Sequence, residues 1–190
     1  NRNALAGVDP AVLANLGSSQ VAALTTMQIN ALQANQVASI GTGFIAMLST
    51  GQVSALNTAA VATLTTAQVE AMSTSQVEAL TVPQVKVLSA AQLTAIGADG
   101  IATFSTAEIA ALSNRSVTGL SEDTIKNLTP EQIAALSTSA VAALTSGQIK
   151  ALSTAQVEAL TVNQVRVMSA AQFAALDGDG LATFTNAEIA

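Results

Sequence analysis

Cysteine, histidine, tryptophan and tyrosine are all absent from the 190 residues, the four aromatic residues are all Phe, and charged residues make up only 9%. Without Cys or His the chain cannot build a structural zinc site, a thiol nucleophile, a haem ligand set of the usual kind or a Ser-His-Asp relay. Six basic residues against twelve acidic ones leave a formal charge of −6. That balance disfavours neutralising a run of phosphates, and with it nucleic-acid binding and attraction to anionic lipid. Half the residues are apolar, but most of these are Ala, Val and Leu. Ser, Thr, Gln or Asn interrupts every apolar stretch, so no uninterrupted run reaches the ~18 residues of a membrane span, and no membrane insertion is expected. Residues 1–10 show no signal peptide.

What is present is a repeat. Every position numbered 8k, from Val8 to Phe184, is a large apolar residue, twenty-three times in succession. Every position 8k+5, from Leu13 to Ile189, is Val, Ile, Leu or Phe. Position 8k+1 is Ser or Thr in sixteen octads and Asp or Asn in three more, and 8k+4 is Gln or Glu in fifteen. Ser or Thr followed three residues later by Gln or Glu is the capping box, which satisfies the free amides at a helix start. The apolar residues just before the cap and four after it occupy the positions of a hydrophobic staple. Leu152, Ser153, Gln156 and Val157 carry both devices.

Each octad therefore predicts one short helix. Pro10, Pro83 and Pro130 fall at 8k+2 or 8k+3, first-turn positions where a missing amide hydrogen costs least. Glu108, Glu122, Asp123, Glu131 and Glu188 also fall in predicted first turns, where the helix dipole favours negative charge. A single long helix fails as an alternative: eight residues at about 100° each swing the apolar stripe round by roughly 80° per octad. Strands fail because apolar spacings of five and three alternate between sheet faces. One octad buries too little to fold alone, so successive octads must stack. Positions 8k and 8k+5 then face a common interior, and Ala at most 8k+7 positions permits close approach. The predicted fold is an all-α solenoid, or superhelix, of short capped helices. The exposed positions 8k+2, 8k+3 and 8k+6 carry most of the charge, including Glu70, Glu78, Lys86, Lys126, Lys150, Glu158 and Arg166.

A second period lies over the first. Residues 66–110 and 146–190 match at an offset of eighty, with twenty-eight identities in forty-five. The sequence reads as one continuous octad solenoid over residues 1–190, with long repeats at roughly 17–96 and 97–176 and then a partial one. Both ends cut through the repeat, so a longer parent array is expected, as is end-to-end self-association of fragments.

The clustered acids Asp177 and Asp179, with Glu188 following, are the candidate metal ligands, and calcium is the ion such oxygen donors suit. The spacing departs from an EF-hand: with Asp177 and Asp179 at loop positions 3 and 5, Glu188 arrives two residues late. The octad offers another account, with Asp177 as an N-cap and Glu188 as a capping-box acid. Catalysis by Glu70, Glu78 or Glu158 has little support, since all three sit at exposed positions of near-identical units. The Gln ladder at 8k+4 is explained by capping without a ligand.

The LeuSerThrAlaGlnValGluAlaLeuThr pattern at 152–161 resembles octad-rich stretches of very large secreted bacterial surface proteins of adhesion, haem-utilisation or repeats-in-toxin-like type, and it extends over essentially the whole chain. The resemblance implies an extracellular, acidic, Cys-free stalk or scaffold segment at the cell surface, and the residues themselves favour a structural or filament-forming role with no enzymatic activity and no cofactor. The alternative is a binding module that recognises a peptide or glycan on a cell-surface or matrix partner, with calcium in support. The absence of Tyr and Trp, the usual interface anchors, favours the stalk.

Overall fold

The computed structural model of the chain describes residues 5, 7–176 and 178–184, with Asp179 described in its backbone alone. Among these residues there is no strand, and helices restart once per octad. The fold is the expected all-α solenoid of short helices.

Two compact units divide the chain, Asn1–Leu88 and Ser89–Ala190. Among the described residues the first runs through ten helices of four to six residues, from Pro10–Ala14 to Val82–Val85. Pro10–Ala14 packs on Ala34–Ser39, and Thr26–Asn30 on Thr50–Ala55, so each helix meets the one three octads later. The second unit repeats this spacing: Thr106–Ala111 packs on Pro130–Ala135, which packs in turn on Thr154–Glu158.

Local chemistry fixes each helix start. Ser153 is extended (φ −73°, ψ 161°), its hydroxyl accepts the Gln156 amide, and the Gln156 side chain accepts the Ser153 amide. The same reciprocal pair closes the box at Thr25, Ser49, Thr65, Ser73, Ser89, Thr129, Thr145, Thr161 and Ser169. All three prolines stand in a first turn, as do Glu108, Glu122, Asp123 and Glu131.

Two octads depart from the simple pattern. Helix Ala90–Ala102 runs across an octad boundary, but Gly97 inside it is non-helical at φ 72°, ψ 177°. Glycine replaces the cap there and turns the chain in a conformation that other residues adopt only with strain. The octad at 113–120 forms only a 3-10 turn, Val117–Gly119.

Positions 8k and 8k+5 build the core: Leu128, Ile133, Leu136, Val141, Leu144 and Ile149 are all buried. A two-residue core is incomplete, however. Gln at 8k+4 is buried as well, from Gln36 and Gln52 to Gln164 and Gln172. Ala at 8k+7 is commonly only half-buried, as at Ala31, Ala55 and Ala135. Gly119 also stands at 8k+7, and there an added Cβ would lie 2.0 Å from the Ala90 carbonyl oxygen.

Candidate functional site

The dominant polar feature is a ladder of buried glutamines. From Gln36 to Gln172, an octad that carries Gln at 8k+4 places it at the third helical position, buried beside the 8k+5 core residue. In Gln156, Oε1 accepts the Ser153 amide at 2.8 Å. Its Nε2 donates to the carbonyls of Ile125 and Leu128, both at 2.7 Å. Those carbonyls lie 31 and 28 residues earlier in sequence. An amide nitrogen has two hydrogens to give and both are used.

The same rung recurs. Gln52 donates to Val21 and Leu24, and Gln68 to Val37 and Ile40. Gln148 reaches Val117 and Leu120, and Gln172 reaches Val141 and Leu144. The acceptors are the 8k+5 and 8k carbonyls at the end of an octad, groups that a helix leaves short of partners. A reach of 28 to 31 residues, with helices packing three octads apart, sets one superhelical turn at between three and four octads. Each Gln thus caps its own helix and ties that turn to the one before. Gln20 and Gln28 stand in the first turn and make the local bond to Gly17 and Thr25. Gln20 is exposed there.

Where Gln is missing, other residues show how specific the need is. Ala60 occupies one ladder position, and Asn57 at the cap takes over both jobs. Its Oδ1 accepts the Ala60 amide at 2.9 Å, and its Nδ2 donates to Asn30 and Leu32, both at 2.8 Å.

Capping alone does not explain the ladder, because Glu closes a capping box as well as Gln does. Gln fills 8k+4 thirteen times and Glu only twice. A carboxylate accepts but cannot donate, so this bias was the visible sign that the position needs a donor. Among the described residues no buried side-chain nitrogen or oxygen lacks a hydrogen-bond partner.

The remaining polar residues do not converge on a site. Glu70, Glu78 and Glu158 end their short helices and are exposed. Lys126 and Asp123 form an exposed pair at 3.2 Å, worth little in water. The Glu131 carboxyl titrates below its ordinary range because its own backbone amide and the Thr129 hydroxyl donate to it. Of the calcium candidates, Asp177 and Glu188 lie outside the described residues, and only the backbone of Asp179 is described, in helix Gly178–Ala182. Among the described residues no group of three or more Asp or Glu could hold a metal ion, and no helix is long and apolar enough to cross a membrane.

The capped segments Thr63-Leu64-Thr65-Thr66-Ala67-Gln68 and Ala151-Leu152-Ser153-Thr154-Ala155-Gln156 carry the motif that comparison with known families recognises. A family model described as the ALTTAQ repeat matches residues 45–82, 117–154 and 150–186. No curated protein matches the chain. The three family matches together span more than half of the sequence, and the chain belongs to the ALTTAQ-repeat family.

Proposed function

We propose that this repeat segment is a non-catalytic stalk, scaffold or filament-forming unit of an extracellular bacterial surface protein. The observation that carries the reading is the Gln rung. Wherever Gln stands at 8k+4 within Gln36–Gln84 and Gln132–Gln172, the same kind of bond inside the solenoid joins one turn to the next, so length can grow by adding octads without any change in the surface. The surface itself is built mainly of Ser, Thr, Ala and scattered charge, which suits solubility. A turn from a second copy would be joined by the same donors and acceptors, which supports end-to-end self-association. No nucleic acid is bound in this reading.

The test is length. Removing or inserting one 80-residue repeat in the parent protein should change how far its outer parts stand from the cell, measured by super-resolution imaging, and leave their activity intact. Finding the segment inside the cytoplasm, or losing function with any change of repeat number, would overturn the proposal.

A binding module is the second reading, in which the segment recognises a peptide or glycan on a cell-surface or matrix partner. Val82, Val87 and Val167 are more than a third exposed, and Lys86 and Arg166 stand next to two of them. In this reading calcium at Asp177, Asp179 and Glu188 supports the array. Millimolar calcium would then raise the melting temperature by mass action, and Asp179→Ala would remove the rise. An unchanged melting curve removes calcium from the account.

A further inference from the structure

The glutamine ladder has one wide gap. Four consecutive octads, covering residues 97–128, carry Gly100, Glu108, Ser116 and Thr124 where Gln would stand. Gly100 has no side chain. Glu108 as a carboxylate only accepts, and its Oε2 takes the Ser105 amide at 2.7 Å and the Ser105 hydroxyl at 2.9 Å. Ser116 and Thr124 are too short to leave their own octads. The Ser116 hydroxyl receives the Ser113 amide at 3.0 Å, and Thr124 Oγ1 pairs with Ser121 Oγ at 2.9 Å.

Since a superhelical turn takes between three and four octads, the gap is a whole turn wide. Elsewhere between Gln20 and Gln172 the missing rungs are isolated. Ala140 stands between Gln132 and Gln148, and Phe44 between Gln36 and Gln52. Ala60 is relieved by Asn57.

We propose that the turn at residues 97–128 is a built-in opening point, which unfolds locally before the Gln-tied turns on either side of it in sequence. Two further observations fall in the same stretch. Gly97 holds the chain's one positive φ among the described residues. The helix at Val117–Gly119 is shortened to a 3-10 turn. A substitute tie exists: Thr94 Oγ1 donates to the Gly119 carbonyl at 2.8 Å, and Gly119 lies close against the Ala90 backbone. That hydrogen bond is exposed, whereas each Gln rung contributes two donations, mostly to buried carbonyls.

On its other side the turn remains tied. Gln132 donates to Phe104, Gln148 to Val117 and Leu120, and Gln156 to Ile125 and Leu128. The asymmetry produces a break at a defined place and not general fraying, as expected when cooperative blocks differ in stability. Eighty residues on, Gly180 and Glu188 repeat the first two substitutions, while the upstream equivalents keep Gln20 and Gln28. The inference concerns local stability and does not depend on the surface role proposed above.

Native-state hydrogen exchange on the 190-residue protein, resolved by NMR, tests it with amides matched in register. Ile109, Val117 and Ile125 each donate to the carbonyl at their 8k+1 position, as do Ile149, Val157 and Val165. The first three should exchange at least about tenfold faster than the second three. Equal or slower exchange would overturn the proposal.

A second arm restores a rung. Thr124→Gln places a donor 31 and 28 residues after Leu93 and Ile96, and exchange at Ile125 should slow toward that of Val157. A folded variant with unchanged exchange at Ile125 would show that the missing rungs are not the cause. Should the variant fail to fold, the comparison in the unaltered protein still decides.

Discussion

The Gln156 amide nitrogen donates to the Leu128 carbonyl at 2.7 Å, across 28 residues of sequence. A second hydrogen of the same nitrogen goes to Ile125, and the oxygen receives the Ser153 amide. One uncharged side chain therefore closes a helix start and joins two turns.

Substitutions at this residue separate its two roles. Gln156→Ala leaves two buried carbonyls and one amide without their partner, and should cost about 2–4 kcal/mol. Gln156→Glu keeps the cap acceptor but sets a carboxylate against two carbonyls, and should cost at least as much. Ser153→Ala removes only the cap, at about 1 kcal/mol. Urea denaturation should give this order; equal effects of Gln156→Glu and Ser153→Ala would reduce the ladder to capping.

Adjacent residues test which side is inside. Val157 is 2% exposed, so Val157→Asp buries an unpaired charge and should unfold the neighbouring turns. Glu158 is exposed, and Glu158→Ala should change stability by less than about 0.5 kcal/mol. Thermal melts of the two variants should differ widely; equal shifts would mean that inside and outside are reversed.

Three glycines should respond differently to the same change. Gly119→Ala brings a Cβ to 2.0 Å from backbone at Ala90 and must push two turns apart, so a loss of more than about 1 kcal/mol is expected. Gly147→Ala crowds the end of the Glu122 side chain, which can move, and meets the Thr145 hydroxyl at an ordinary contact distance, while Gly51→Ala meets nothing within 4 Å. Both stand within helices and should gain up to about 1 kcal/mol in melts. A stable Gly119→Ala protein would contradict the close contact with Ala90.

Much of this architecture was legible from single octads. The caps at Ser153 and Thr145, the prolines and the inward pair at 8k and 8k+5 are all local in sequence, and local chemistry decides them. The partners of Gln156 Nε2 were not legible, because they depend on how many octads close a turn, which no single octad encodes. The preference for Gln over Glu was the trace left in the sequence, and Asn57 beside Ala60 was a second. For Asp177, Asp179 and Glu188 the melting experiment with calcium separates metal binding from capping.

Side-chain amide exchange measures the central claim, that glutamines join successive turns, most directly. The Nε2 hydrogens of Gln148, Gln156 and Gln164 are buried and donated across turns, whereas Gln20 is exposed. In an NMR exchange experiment on the intact protein, the first three should be protected by about a hundredfold or more over Gln20. A common, unprotected rate for all four would contradict the ladder.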